Sequence, residues 1–284
     1  YNAFLLENDV WLHNYALYMA LKDENSGLAF YEWNLGHKYR LDKDIATAET
    51  KLADTINFHK FLQYKFSEQW SALKEYANDK GIKIIGDIPI YVAGDSADVW
   101  ANPKQFLLDE DCNPIEVAGC PPDAFSEDGQ LWGNPLYDWE YMKKDGYLWW
   151  KNRIEHLCKM CDVIRIDHFR GFESYWAVPA GHKTAAGGTW QQGPGTSFIQ
   201  AVQAALPNLD FIAEDLGYLT PEVKKLQQES GYPGMKVLQF AFDSREESDY
   251  LPHTYPVNSV VYSGTHDNLT MAQWLEEAPK EDVA

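Results

Sequence analysis

Apolar positions between residues 10 and 22 (VWLHNYALYMALK) follow helical spacing. Residues 44–79 sustain it longer: Leu52, Ile56, Phe58, Phe61, Leu62, Phe66, Trp70 and Leu73 fall near the 3.6-residue period. Gly81 follows as a stop signal. Residues 1–80 therefore read as a helical region. Beyond it the pattern changes to short apolar runs: 82–87 (IKIIGD), 162–167 (DVIRID), 210–215 (DFIAED), 235–242 (MKVLQFAF) and 259–264 (SVVYSG). Helical segments separate the later runs, at 147–160, at 196–206 and after Thr220-Pro221-Glu222, where an N-cap and a first-turn proline open a helix that Gly231 ends. A final short helix is expected at 268–277.

Strand alternating with helix means a parallel sheet with helices outside, either a barrel or an open doubly wound sheet. No glycine-rich phosphate loop follows the first strand. Acids do: Asp87, Asp167, Glu214 and Asp267 stand at or just beyond strand ends. In a (β/α)8 barrel that face holds the active site. Any one of the four could be a helix N-cap, but four together point to a site. Residues 81–284 thus read as a partial (β/α)8 catalytic barrel. Residues 88–146, rich in proline and without a clear period, read as a long substrate-covering loop, with GQLWGNPLYDW (129–139) too aromatic for a solvated linker. Residues 181–195 read as a second such loop.

Of the 284 residues, 45% are hydrophobic and 24% charged, with a net charge of −19. That balance excludes a disordered chain and disfavours nucleic acid and anionic membranes as partners. No apolar run is long enough to span a bilayer, and no secretory leader opens the sequence. With 11 Trp and 17 Tyr, the aromatics supply either a large ring-rich core or a cleft of flat faces for sugars. Cys158 and Cys161 form a C-x-x-C, but no second ligand pair exists; packing is the better reading, and four cysteines fit a reducing compartment.

Period-two alternation puts Arg165 and Asp167 on one strand face. A guanidinium one pleat away favours the ionised carboxylate, and an ionised Asp can act as a nucleophile. Glu214 lies on the opposite strand face from Asp215; partly protonated, it can donate to a leaving oxygen. Two carboxylates with opposed pKa demands suit glycoside chemistry. Several acids at a barrel mouth equally suit a divalent cation with a phosphorylated or enolisable substrate. The aromatic content favours sugar.

Six blocks carry a specific likeness: IIGDIPIYVAGDSADVWANPKQFLLD (84–109), GCPPDAFSEDGQLWGNPLYDW (119–139), VIRIDHFRGFESYWAVPAG (163–181), FIAEDLGYLTPEV (211–223), GMKVLQFAF (234–242) and YSGTHDN (262–268). In this order they resemble the 4-α-glucanotransferases, the amylomaltase or disproportionating-enzyme family of the α-amylase clan, from about residue 10 onward. The resemblance implies a (β/α)8 barrel and retaining transfer of α-1,4-glucan segments through a covalent glycosyl-enzyme, with glucose or maltose as acceptor and no cofactor or metal. It implies Asp167 as nucleophile, Glu214 as general acid/base and Asp267 as transition-state stabiliser. Arg165, His266 and Asp87 match sugar-contacting positions beside those acids. Asp123, Phe125, Gln130 and Trp132 match the loop over the sugars, where Ala124 stands in place of an aromatic common in the family. Cytoplasmic location is implied, or a plastid if the source is a plant. Family chains carry two barrel strands before the helical region and an eighth after THDN, so the sequence resembles an internal fragment. An α-glucan hydrolase using the same acids and a non-catalytic glucan-binding barrel are the competing readings.

Overall fold

The computed structural model describes residues 1–123, 126–217, 219–242 and 248–283. The N-terminal part is helical: α1 (Asn2–Glu7), α2 (Asp9–Glu24), α3 (Leu35–Lys38), α4 (Asp42–Lys51) and α5 (Ala53–Asp79). The expected 44–79 helix breaks at Leu52, between α4 and α5. On α2, Leu12, Ala16, Leu17, Ala20 and Leu21 recur at helical spacing and are buried against the rest of the molecule. On α5 only Ile56 and His59 are buried. Phe58, Leu62, Phe66, Leu73 and Tyr76 share another face of α5 and stay exposed, as does Phe61. The periodicity was therefore a sound guide to helix but not to burial within these 284 residues.

Next come β1 (Ile85–Pro89), α6 (Ala97–Ala101), β2 (Glu116–Cys120), β3 (Gln130–Pro135), α7 (Trp139–Lys144), α8 (Leu148–Met160), β4 (Val163–Asp167), β5 (Ser174–Pro179), β6 (Thr189–Gln192), α9 (Thr196–Ala205), β7 (Asp210–Ala213), α10 (Pro221–Ser230), β8 (Gly234–Val237), β9 (Ser259–Tyr262), α11 (Met271–Glu277) and α12 (Lys280–Val283). Two parallel sheets form, β1-β4-β7 and β8-β9. The Ala213 amide donates to the Pro233 carbonyl at 2.9 Å, joining the end of β7 to the start of β8. The Asp215 carboxylate then accepts from the Met235 amide at 2.6 Å. Gly234 is required there, because a Cβ on it would lie 2.5 Å from Asp215 Oδ2.

All five expected parallel strands exist, with two adjustments. β1 begins three residues later than the apolar run, and the fourth run leaves the strand after Val237 for a 3-10 turn over Leu238–Ala241. The 88–146 segment is not simply a loop. It supplies β2 and β3, which join β5 and β6 in an antiparallel sheet of order β3-β2-β5-β6. GQLWGNPLYDW runs into β3 rather than a free lid, and residues 181–195 contain β6. This sheet is anchored beyond the C-terminal end of β1: Tyr137 donates to the Ile90 carbonyl (2.8 Å) and Asn134 to the Val92 carbonyl (2.9 Å).

One large apolar cluster joins the helices to the outer face of β1-β4-β7 through Ile88, Ile164, Ile166 and Phe211. Many rings are structural: Trp100 and Trp150 are fully buried, and Phe172 stacks on Phe198 at 4.4 Å. Cys161 packs against β1 where a Cβ on Gly86 would come within 2.6 Å of its sulfur, which accounts for both residues. All four cysteines are unpaired. Among the described residues no helix is long and apolar enough to cross a membrane.

Candidate active site

Strand β4 alternates as expected, with Ile164 and Ile166 buried and Val163, Arg165 and Asp167 half-buried on the other face. Parallel register sets Asp87 opposite Arg165 and Pro89 opposite Asp167. From there the guanidinium reaches both acids: Arg165 Nη1 lies 2.6 Å from Asp87 Oδ1 and 2.9 Å from Asp167 Oδ1. Its Nε donates to the Met235 thioether at 3.3 Å. Burial opposes the charge on Arg165, but Asp87 and Asp167 outweigh it and raise its pKa.

The balance at Asp167 differs from the expectation. Burial raises its pKa and outweighs Arg165, while the Asp87 and Asp267 carboxylates push in the same direction as burial. Arg165 offsets this rise without reversing it. The Asp167 side chain keeps 42% exposure and its ion pair with Arg165 at 2.9 Å.

Glu214 follows β7 directly and is held by main-chain amides. His168 N–H donates to Oε2 at 2.7 Å and Leu216 N–H to Oε1 at 3.0 Å. Both bonds favour the carboxylate, yet burial dominates, and with the Asp167 charge it pushes Glu214 up to about 7. Asp215 takes the other direction, onto the Met235 amide.

Asp267 lies in a turn beyond β9. Thr265 N–H and Oγ1 both bond Asn268 Oδ1 at 2.9 Å, which presents His266 and Asp267 at the tip. Their side chains are about three-quarters exposed and 3.3 Å apart. Asp267 is near enough to act on the Asp167 charge. Trp132, on β3, is 36% exposed; its Nε1 donates to Gln130 Oε1 at 3.1 Å, and its ring meets His168 edge-on with centroids 4.8 Å apart. Asp123 is exposed and accepts from the Ser126 amide at 2.8 Å. Ala124 and Phe125 lie outside the described residues. Among the described residues no group of three or more His, Cys, Asp or Glu side chains is arranged to hold a metal ion; the cation between Asp87 and Asp167 is Arg165. A cavity of about 310 Å³ between Tyr31, Val99, Leu108 and Pro135 includes none of these acids.

Three contributors were not recognised in the sequence. Met235 holds Arg165, Asp215 closes β8 onto β7, and His168 links Glu214 to Trp132. None belongs to a spacing rule: the first two depend on strand register and the third on a left-handed backbone.

The profile of the 4-alpha-glucanotransferase family matches residues 1–284. The chain belongs to that family. A 4-alpha-glucanotransferase of Clostridium butyricum is 50% identical over 274 residues, covering 96% of this chain and 56% of the relative. One from Streptococcus pneumoniae is 49% identical, covering 100% of this chain and 57% of its own length. The solved amylomaltase of Streptococcus agalactiae, in complex with acarbose, superposes with a TM-score of 0.95 at 43% identity, over 99% of this chain and 57% of that one. This 4-alpha-glucanotransferase family chain therefore shares the mixed α/β fold of amylomaltase. It spans a little over half the length of these relatives.

Proposed function

We propose that these residues carry the catalytic centre of a 4-α-glucanotransferase that moves α-1,4-glucan segments between malto-oligosaccharides, with glucose or maltose as acceptor. β1, β4, β7, β8 and β9 are read as successive staves of a (β/α)8 barrel, of which residues 81–284 form a part, preceded by the helical region of residues 1–80. The working compartment is the cytoplasm. The observation that carries the mechanism is the contrast between two acids: Glu214 is held by main-chain amides and pushed up to about 7 by burial, while Asp167 is partly exposed and ion-paired with Arg165 at 2.9 Å.

In this reading Asp167 attacks the anomeric carbon as Glu214 gives its proton to the leaving glucosyl oxygen. The bond from sugar to leaving group breaks, and a covalent glycosyl-enzyme remains. Glu214, now ionised, takes a proton from the incoming 4-hydroxyl, which attacks the same carbon and releases Asp167. Two displacements retain the anomeric configuration. Arg165 keeps Asp167 in place, and Asp87 shares the guanidinium. Asp267 and His266 address ring hydroxyls; Trp132, Gln130 and Asp123, and Phe125 on the family resemblance alone, cover the donor and acceptor sugars. The acarbose bound to the Streptococcus agalactiae amylomaltase supports an α-glucan as ligand class.

Transfer and hydrolysis differ only in what resolves the intermediate, which depends on excluding water. The test is incubation of the full-length protein with maltotriose. Longer oligomers together with free glucose support transfer. Reducing ends that grow in step with cleavage would make it a hydrolase, and binding without turnover would make it a glucan-binding barrel.

A further inference from the structure

His168 follows Asp167 at the end of β4, and its backbone is left-handed, at φ 55° and ψ 49°. That conformation is unfavourable for a residue with a Cβ and is kept where the surroundings demand it. The His168 amide, just ahead of that torsion, donates to Glu214 Oε2 at 2.7 Å, and the left-handed turn then brings the following residue back onto the Glu214 main chain. Main-chain bonds on either side fix the arrangement: Phe169 N–H donates to the Glu214 carbonyl at 3.1 Å, and Glu214 N–H to the Ile166 carbonyl at 3.0 Å. The imidazole leaves in another direction and meets Trp132 edge-on, with an interplanar angle of 88°. Burial, with Arg170 nearby, lowers its pKa to about 4, so the ring is neutral at working pH and is a packing surface rather than a charge.

We propose that His168 is a positioning residue that mounts the acid and the sugar platform on one support: its main-chain amide aims Glu214, and its ring braces Trp132. The inference deepens the transferase reading and rests on it for the meaning of Trp132, but not for the titration of Glu214. Asp167, Arg165, Cys120 and Tyr250 are the other titratable groups that face Glu214, and none is altered in the variants below.

The test compares His168→Gly, His168→Asn and His168→Val in the full-length protein. Gly and Asn accept a positive φ, whereas a β-branched residue resists it. Glu214 is titrated by NMR with ¹³C-labelled glutamate, its signal identified by loss in Glu214→Gln. Kinetics with maltotriose as donor and glucose as acceptor are measured in parallel. In the Gly and Asn variants the Glu214 titration should stay where it is, because the turn that holds Glu214 against the residue-168 amide stays, while the acceptor KM rises several-fold. In the Val variant the titration should move upward by about one pH unit, the scale of a hydrogen bond lost from a charged group. An equal displacement in Gly and Val, or an unchanged acceptor KM in Gly and Asn, overturns the proposal. If the Val variant does not fold, a double-mutant cycle decides. The His168→Gly effect on acceptor KM should vanish in a Trp132→Ala background, and full additivity overturns the bracing role. Absence of any transfer in the parent protein would remove the transferase reading while leaving the titration arm intact.

Discussion

Arg165 Nη1 stands 2.6 Å from Asp87 and 2.9 Å from Asp167, so one nitrogen serves acids from two adjacent strands. The sharing is a product of register, since Asp87 pairs directly with Arg165 and Asp167 lies one pleat further along the same face. Each acid therefore competes for the same cation, and changing either alters the other.

Asp167→Asn removes the proposed nucleophile but preserves shape and most hydrogen bonding. Turnover of maltotriose by the full-length protein should be abolished while calorimetry still detects malto-oligosaccharide binding. An unchanged rate would remove Asp167 from the mechanism.

Glu214→Gln should lower kcat/KM by about 10²–10⁴-fold on substrates with poor leaving groups and far less on activated aryl glycosides. The parent should lose activity as pH rises through about 7, where Glu214 gives up its proton. That alkaline limb should be missing from the Gln variant on activated substrates. Equal losses on both substrate types would count against the acid role.

Stability carries its own pH signature. Glu214 has a folded pKa near 7, above the ordinary value of 4.5, so the folded form binds a proton more tightly than the unfolded chain. Its contribution is fully present below 4.5 and is lost as pH rises to 7. Denaturant titrations should show Glu214→Gln gaining stability relative to the parent across that window. A difference that does not change with pH would contradict the raised pKa.

Gly234→Ala would place a methyl group 2.5 Å from the Asp215 carboxylate, which itself holds the Met235 amide. Overpacking of this kind costs about 1–3 kcal/mol. The shift should appear in the denaturation midpoint, and Asp215→Ala should relieve the steric part of it.

Expressed as a separate polypeptide, residues 1–284 should be poorly soluble or inactive, because Phe58, Leu62, Phe66 and Leu73 leave an apolar stripe along α5 in the open. Sedimentation and dye binding check this. Rapid turnover of maltotriose by that polypeptide would contradict it.

The parallel strands were legible because each is a short apolar run, three of the five ending in an acid, a pattern that survives without any knowledge of neighbours. The antiparallel sheet was not. β6 (Thr189–Gln192) is exposed at all four positions and so has no alternation to read, and β3 contains Gly133 at φ 79° and ends in Pro135. Leu238–Ala241 looked like more strand since its residues are mostly apolar; there Gln239 turns inward and donates to the Leu269 carbonyl at 2.5 Å. At the site, the pairing of Arg165 with Asp167 could be read from the pleat. The dominance of burial over that pairing could not, because it depends on what covers β4. The turn that brings the chain after His168 back onto Glu214 depends on the sign of one dihedral, which spacing does not encode.

Sharing one guanidinium has an arithmetical outcome. With Glu214 protonated, Arg165 offsets one of the three carboxylates Asp87, Asp167 and Asp267, and the balance of the cluster is negative. An oxocarbenium-like sugar brings a single positive charge as its bond stretches. In the proposed mechanism the cluster is thus nearer to electroneutral at the crest of the reaction than before it, which favours the fleeting species over the resting one.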